Sequence, residues 1–228
     1  MISNRRLGRI SRLISKGCTA TDSPLLGGKF VPGENRRYVT LLANPLKIPP
    51  ELRPRNTSLG DPMKTLLIMR HAKSDYPADV HDDFDRPLNE RGRKDLPRVG
   101  HLLAEYGPCP DAVLASSALR ARQTAAGLAA TLALPAKALH FDDALYLAPP
   151  AALAQQATTF PDSAQTGLLI AHNPGLEGWI QQVSGAQIRL PTAGLAAIAL
   201  SAFSWAEIPR ASGQLLYYVV PRLIKAIT

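Results

Sequence analysis

The sequence predicts an α/β protein, a three-layer α/β/α sandwich around a mostly parallel central sheet. From Met63 onward, short apolar runs alternate with helix-like segments, an order typical of a sheet covered by helices on both faces. The first of these runs, Thr65–Met69, is short, apolar and flanked by Lys64 and Arg70, which is typical of a strand buried on both faces. The stretch from 63 to 228 is long enough for a single hydrophobic core.

Five strands and four helices are predicted. The strands are Thr65–Met69, Ala112–Ala115, Gly167–Ala171, Leu195–Leu200 and Leu215–Val220, and the helices are Glu90–Tyr106, Ala118–Leu132, Ala151–Thr159 and Leu176–Val183. The first helix is stopped by Gly107-Pro108. Ser116 or Ser117 is the expected N-cap of the second helix, and Pro174 suits the first turn of the last one.

Charged and imidazole side chains follow the predicted strands. Arg70 and His71 come directly after the first strand, and His172 follows the strand that ends at Ala171. Open α/β sheets bind ligands at the carboxyl ends of their strands. If these two strands are neighbours, both imidazoles converge on one pocket.

Arg120 lies in the first turn predicted for the second helix, where a cation opposes the helix dipole. This placement is unfavourable unless an anion is bound there by the guanidinium and the free backbone N–H groups. Arg122 is rotated by about 200° from Arg120 on a helix, so both cannot face the same pocket. Arg122 is therefore expected to be a solvated side chain.

Four separated motifs resemble those of the histidine phosphatase superfamily, which has the phosphoglycerate mutase-like fold. They are Arg70-His71-Ala72-Lys73-Ser74-Asp75, Asp85-Arg86-Pro87-Leu88-Asn89-Glu90-Arg91-Gly92, Ser116-x-x-x-Arg120-Ala121-x-x-Thr124, and Ala171-His172-Asn173-Pro174. The likeness runs from Met63 to about Arg222. Ala72 stands where most of the superfamily has Gly, a departure that resembles the SixA-type phosphohistidine phosphatases.

The resemblance implies a role for each of four residues. His71 would be the nucleophile, forming a covalent phosphohistidine that water then hydrolyses. Arg70 and Arg120 would hold the phosphoryl oxygens, and His172 would be a further donor. Near the presumed phosphate, Lys73, Ser74 and Asn173 would either bind the substrate or stabilise the loops.

A general acid is harder to assign. Larger members of the superfamily carry a glutamate in a segment that corresponds here to residues 140–146, which makes Asp143 one candidate. The cluster Asp82, Asp83 and Asp85 supplies others, and for each candidate a solvated loop carboxylate is the favoured interpretation. If no acid is present, phosphohistidine is the favoured substrate, because imidazole leaves readily when protonated near its pKa of about 6.5 whereas an alkoxide needs a proton donor.

The leading hypothesis is a metal-independent phosphatase that acts on phosphohistidine in proteins. A general small-molecule phosphomonoesterase and, from another class, a non-catalytic phospho-ligand binding domain are the alternatives. A mutase is disfavoured, because residues 63–228 leave little room for a cap over the pocket. A shallow pocket would admit a phosphorylated protein or a small phosphate ester; no cofactor, metal, nucleic acid or membrane partner is expected, and the oligomeric state is open.

The net charge of +8 is concentrated in the first 62 residues. They hold 11 Lys/Arg and 4 Asp/Glu, leaving 15 and 14 for the rest of the chain, so the basic character says little about the domain. This Pro-, Asn-, Ser- and Arg-rich segment is predicted to be a disordered extension. Either Met63 is the true initiator, or residues 1–21, which contain no acid, are an organelle-targeting peptide, or the segment is a basic tail for anionic partners.

The remaining composition places the domain in a reducing compartment. Cys18 and Cys109 are far apart and are interpreted as free thiols. No apolar run approaches 18 residues. A cytoplasmic protein is therefore expected, with organelle targeting as the alternative if residues 1–62 are genuine.

Overall fold

A computed structural model describes residues 63–227 as a six-stranded sheet with helices on both faces. The strands are β1 (Thr65–Arg70), β2 (Ala112–Ser116), β3 (Leu139–Asp142), β4 (Thr166–Ala171), β5 (Leu195–Leu200) and β6 (Gly213–Val219). The helices are α1 (Glu90–Tyr106), α2 (Leu119–Leu132), α3 (Pro150–Ala157), α4 (Gly175–Ser184) and α5 (Pro221–Ile227). Cys18 and the predicted extension lie outside the described residues.

The sheet is mostly parallel, as predicted. Its strand order is β3-β2-β4-β1-β5-β6. The pairs β2·β3, β2·β4 and β1·β4 are parallel, whereas β5 pairs antiparallel with both β1 and β6. Only β5 therefore runs against the other strands of this sheet.

Two hydrophobic clusters, one on each face of the sheet, confirm the three-layer architecture. On one face, Leu66 and Ile68 of β1 pack with buried residues of α3 and α4 and with Trp205. On the other face, Leu67 and Met69 of β1 pack with residues of α1 and α2. Successive strand residues point to opposite faces, so the uninterrupted apolar run of β1 is explained by burial on both sides.

Two elements differ from the sequence expectation. The edge strand β3 was not predicted, because it has only four residues, two of which, His140 and Phe141, are exposed. The seven-residue helix α5 begins at Pro221, where the sequence suggested only the end of a strand. Neither element has the periodicity that a longer segment would show.

The predicted N-cap of α2 is wrong. The cap position is Ala118, and no side chain caps this helix. Ser116 is instead the last residue of β2 and is fully buried. The start of α2 therefore has backbone N–H groups that no side chain satisfies.

The topology brings the predicted site residues to one edge of the sheet. β1 and β4 are adjacent and parallel, with Arg70 in register with Ala171, so His71 and His172 leave the sheet side by side. β2 is the next strand along and leads into α2, which carries Arg120. Among the described residues, no helix is long and apolar enough to cross a membrane.

Candidate active site

The two histidines that follow β1 and β4 lie side by side in a buried cluster, with their ring planes tilted by 51°. The ring centroids of His71 and His172 are 5.0 Å apart. Both side chains are buried, as is Arg120, which is only 3% exposed. The convergence of these residues follows from the parallel pairing of β1 with β4 and from the position of α2 after β2.

His71 is held in one tautomer. Its Nδ1 lies 2.8 Å from the carbonyl oxygen of Ala72, and because a carbonyl can only accept, Nδ1 carries the proton. Its Nε2 is therefore unprotonated, and its lone pair accepts a hydrogen bond from Arg120 Nε over 3.3 Å. This Nε2 is the one basic, nucleophilic atom of the ring.

The loop that carries His71 is attached to α2 by Thr124. The backbone N–H of Ala72 donates to Thr124 Oγ1 over 2.9 Å, and the same hydroxyl donates to the carbonyl of Arg120 over 2.6 Å. Thr124 thus fixes the distance between the strand carrying the imidazole and the helix carrying the guanidinium.

His172 has the opposite tautomer. Arg120 Nη2 lies 3.3 Å from its Nδ1, and because a guanidinium only donates, Nδ1 is the acceptor. The Nε2–H then donates to Ser116 Oγ over 2.9 Å. Ser116 therefore orients the second imidazole, which explains why a serine ends β2 although it does not cap α2.

Arg70 is half-buried and has spare hydrogen-bonding capacity. Its Nη1 donates to the carbonyl of Leu190 over 3.2 Å. Its Nε is buried and has no hydrogen-bond partner among the described residues. A buried donor without a partner is costly, and an anion in the pocket would satisfy it.

A carboxylate that the motif analysis did not single out completes the cluster. Asp83 Oδ2 accepts hydrogen bonds from Arg120 Nη2 and from the Tyr146 hydroxyl, each over 2.8 Å. Arg86 Nη1 donates to Asp83 Oδ1 over 2.6 Å. Tyr146 also contacts the edge of His172, with ring centroids 5.3 Å apart.

Of three predicted substrate-binding residues, Lys73 and Asn173 lie outside the hydrogen-bond network of this cluster, whereas Ser74 joins it through Arg86. Lys73 is exposed. Ser74 is buried, and its Oγ accepts from Arg86 Nη2 over 2.8 Å. Asn173 Nδ2 donates to Glu177 and to the carbonyl of Leu190, which stabilises the loop that contacts Arg70.

The general-acid candidates Asp143 and Asp85 are not the carboxylate that is bonded to Arg120 in the site. Asp85 and Asp143 are both exposed, whereas Asp83 is bonded to Arg120 inside the site. Asp83 was one member of a loop cluster that the sequence left undivided. Three acids close together on a loop have no periodic spacing, so the sequence does not show which of them points into the site.

Other participants were missed for a similar reason. Thr124 stood in the third motif without an assigned task, Ser116 was expected only as an N-cap, and Tyr146 follows a short 3₁₀ turn, Asp143–Leu145, which no pattern predicts. Arg86 stood in the second motif, again without a role. The prediction that Arg122 faces away from Arg120 is confirmed: it is exposed, and its guanidinium lies 4.8 Å from the ring centre of Phe141.

Both imidazoles of the site are held neutral. Burial lowers the pKa of His71 to about 4, helped by the charge of Arg120 and opposed by the hydrogen bond to Ala72. Burial, together with the charges of His71 and Arg120, lowers the pKa of His172 to about 3. Neutral rings at physiological pH are what a nucleophilic imidazole requires.

Asp83 is held ionised. Burial acts to raise its pKa, but the hydrogen bonds from Tyr146 and Arg86 and the charge of Arg120 outweigh this and lower it to about 2. Burial and the bond to Asp83 raise the pKa of Tyr146, so this hydroxyl stays protonated. At neutral pH the pair is a carboxylate acceptor with a hydroxyl donor.

The acid limb of activity is expected near pH 4 rather than near pH 6.5. The free enzyme needs a neutral His71, so kcat/KM should be independent of this ring down to about pH 5 and fall below it. Titration of the histidine Cε1–H resonances, assigned with His71→Ala and His172→Ala, measures both rings directly. A midpoint near 6.5 for either resonance would contradict the buried, neutral pair.

The same shifts predict that acid destabilises the fold. In the unfolded chain these imidazoles take up protons near pH 6.5, whereas in the folded chain they do so only near pH 4 and 3. Below pH 6.5 the unfolded state therefore binds more protons. The free energy of unfolding should fall as the pH drops through this window, by at most about 1.4 kcal/mol per pH unit for each ring.

Within residues 63–227, no group of three or more His, Cys, Asp or Glu side chains is arranged to hold a metal ion. The polar groups available to a ligand are guanidiniums, neutral imidazoles and one carboxylate. Such a set is suited to a phosphate or another oxyanion.

Comparison of sequences relates this site to a known family. The model of the histidine phosphatase superfamily (branch 1) matches residues 66–145. An uncharacterized protein of Mycobacterium tuberculosis is 33% identical over 165 residues, which cover 68% of this chain and all of that protein. An uncharacterized chloroplastic protein of Arabidopsis thaliana is 30% identical over 161 residues, covering 66% of this chain and 72% of the relative.

Two solved structures have a fold similar to that of this chain. A protein provisionally named phosphohistidine phosphatase SixA, from Nakamurella multipartitia, has a TM-score of 0.61 and 25% identity, covering 69% of this chain and 96% of its own. The protein provisionally given the same name in Agrobacterium tumefaciens has a TM-score of 0.59 and 26% identity, covering 70% and 99%. With its two strand-end histidines, its two arginines and these relatives, the chain belongs to the histidine phosphatase superfamily and is a SixA-like phosphatase.

Proposed function

We propose that this protein is a metal-independent phosphohistidine phosphatase of the SixA type, in which His71 carries the phosphoryl group as a covalent intermediate. The observation that carries the proposal is the state of His71. Its Nε2 is unprotonated and accepts only from Arg120, its Nδ1 proton is held by Ala72, and its ring is buried.

The residues support a two-step reaction. In the first step the Nε2 lone pair of His71 attacks phosphorus and the leaving group departs with its bonding electrons. In the second step water attacks the phosphorylated imidazole and releases phosphate. Arg70 and Arg120 would bind the phosphoryl oxygens in both steps, because their guanidinium forks match an oxyanion and are fixed before the substrate arrives.

His172 would support the transferred group as a neutral donor or acceptor. Its Nδ1 shares Arg120 with His71, and its orientation is fixed by Ser116. Because burial keeps this ring uncharged at neutral pH, its contribution to the phosphoryl oxygens depends on hydrogen bonding rather than on charge.

The substrate class follows from what the site lacks at neutral pH. Asp83 faces the imidazoles but is ionised, so it holds no proton for a leaving alkoxide. A phosphorylated imidazole needs no such proton at the leaving atom, because it can be protonated at its other nitrogen. These points favour cleavage of P–N bonds over P–O bonds. The names of the two SixA relatives point to the same substrate.

Two alternatives are kept. A small-molecule phosphomonoesterase would use the same nucleophile and arginines with an activated ester, and a non-catalytic phospho-ligand binding domain would need the arginines but not a free His71 lone pair. For location, we propose the cytoplasm, or an organelle by analogy with the chloroplastic relative. A phosphorylated protein is the proposed partner.

The test compares two substrates without added metal. The full chain is assayed on a protein phosphorylated at histidine and on p-nitrophenyl phosphate, at matched concentrations and neutral pH. We expect kcat/KM for the phosphohistidine protein to exceed that for the ester by at least about tenfold, since a protonated phosphoimidazole leaves as a neutral ring whereas the ester leaves as an anion.

A series of phosphate esters with increasing leaving-group pKa serves as the control. Rates that fall steeply along the series agree with the absence of a working acid. Equal rates along the series, or preference for esters over phosphohistidine, would establish the phosphomonoesterase instead. Phosphate binding without turnover of either substrate would establish the binding domain.

A further inference from the structure

Asp83 accepts hydrogen bonds from the guanidinium of Arg120, the group that is expected to bind phosphate. Arg120 Nη2 donates to Asp83 Oδ2 over 2.8 Å, and Nη1 donates to the carbonyl oxygen of Asp83. The same Nη2 lies 3.3 Å from His172 Nδ1, and Nε lies 3.3 Å from His71 Nε2. The carboxylate is therefore separated from both imidazoles by only one guanidinium.

The Asp83 carboxylate is held in place and still has room for another donor. Arg86 donates to Oδ1, and Tyr146 and Arg120 donate to Oδ2. A carboxylate has about four acceptor positions, so one is left. The side chain is 39% exposed, which means that a molecule entering from solvent can reach it.

Such a group is neither a phosphate ligand nor an acid. A carboxylate repels a phosphoryl group, and the positive charges around Asp83 keep it ionised rather than protonated. A fixed, ionised carboxylate is a strong hydrogen-bond acceptor for a neutral or cationic N–H group.

We infer that Asp83 is a specificity-determining residue, which selects phosphohistidine over phosphate esters by accepting a hydrogen bond from the N–H of the leaving imidazole. This inference rests on the proposed function and adds to it the residue that recognises the leaving group. Tyr146 and Arg86 are the positioning residues that hold the carboxylate.

The transfer step balances without a proton donor at the leaving atom. The lone pair of His71 Nε2 forms the new N–P bond, and the P–N bond of the substrate breaks with its electron pair returning to the leaving nitrogen. If the second ring nitrogen of the substrate carries a proton, the ring leaves as neutral imidazole. Asp83 stabilises the positively charged ring that precedes this cleavage.

An ester meets the opposite situation. Its leaving oxygen gains negative charge during the transfer and has no N–H to offer, so Asp83 opposes both the phosphate dianion and the departing oxygen. Removal of the negative charge should therefore affect the two substrate classes in opposite directions. A residue that only supports the fold would move both rates the same way.

The test measures kcat/KM of Asp83→Asn and of the unmodified chain on a histidine-phosphorylated peptide and on p-nitrophenyl phosphate. The phosphohistidine value is expected to fall by about tenfold to a hundredfold, the usual effect of losing a hydrogen bond to a charged group. The ester value is expected to stay the same or to rise by about threefold, because Arg120 is released from its competing anion.

Two further variants provide controls. Asp79→Asn makes the same change of charge at an exposed position four residues earlier in the chain and should leave both values unchanged. Asp83→Glu restores the carboxylate and should recover part of the preference for phosphohistidine. Folding of each variant is checked by thermal melting.

Tyr146→Phe tests the inference if Asp83→Asn does not fold. This variant keeps the carboxylate but removes one of the donors that position it, and the ratio of the two kcat/KM values should fall by about tenfold.

The outcomes separate this inference from the proposed function. Equal losses on both substrates would make Asp83 purely structural, and equal gains would make it only a competitor for Arg120; either result overturns the inference. If the unmodified chain does not hydrolyse the phosphohistidine peptide, the proposed function fails first. If it does, and neither variant changes the ratio, only the role of Asp83 is overturned.

Discussion

Replacing His71 with alanine is expected to lower kcat for phosphate hydrolysis by on the order of 10⁴-fold or more. The fixed tautomer leaves Nε2 as the only basic atom of the ring. His172 has the opposite tautomer: its Nε2 carries the proton bonded to Ser116, and its basic atom is Nδ1, which also accepts from Arg120. The loss should appear in kcat on every substrate.

The covalent intermediate gives this prediction an independent readout. Rapid quenching of the unmodified enzyme with ³²P-labelled substrate should trap label on the protein in an acid-labile, base-stable form, as expected of phosphohistidine. His71→Ala should trap none, whereas His101→Ala, a change at an exposed position on α1, should behave like the unmodified enzyme. Label retained in His71→Ala would place the nucleophile on another residue.

Structural damage can be distinguished from loss of the nucleophile. Alanine at position 71 leaves the Arg70 and Arg120 side chains in place, so phosphate should still raise the melting temperature of the variant in proportion to its binding. A variant that neither melts cooperatively nor responds to phosphate would report on folding and not on the reaction.

Much of the fold could be predicted because burial leaves a clear mark on the sequence. β1, β2 and β4 lie at the centre of the sheet, and each is an apolar run that packs against helices on both faces. β3 lies at the edge with half of its residues exposed, so its composition resembles that of a loop. The other edge strand, β6, was predicted although it is only partly buried, because its run is longer and mostly apolar.

The site residues also differ in how far the sequence could predict them. The residues at the ends of central strands, His71 and His172, were found because chemistry at the carboxyl edge of a sheet has a regular position. Asp83 and Tyr146 come from loops between elements, and their approach to the imidazoles depends on loop conformations that no period specifies. Ser116 was assigned a capping role because serine is common at that position, and only the tertiary contact with His172 shows its actual one.

Arg120→Lys is expected to lower kcat/KM by about 10³-fold on phosphohistidine and ester substrates alike. One guanidinium makes the contacts to His71, His172 and Asp83, using Nε, Nη1 and Nη2 in a planar fork. Lysine keeps the charge but offers a single ammonium on a flexible stem, which cannot reach these partners together. The effect should therefore depend on geometry, although the charge is conserved.

Arg122→Lys is the matched control, because it makes the same chemical change two residues along the same helix. Arg122 is exposed and lies over Phe141, so its replacement should change kcat/KM by less than about twofold.

If Arg120→Lys retained most of the activity, charge alone would be sufficient and the fork geometry would not matter. If both variants lost activity equally, the cause would lie in α2 as a whole. A large loss confined to Arg120 would show that the buried fork, set by the position of α2 after β2, is the part of the helix that the reaction uses.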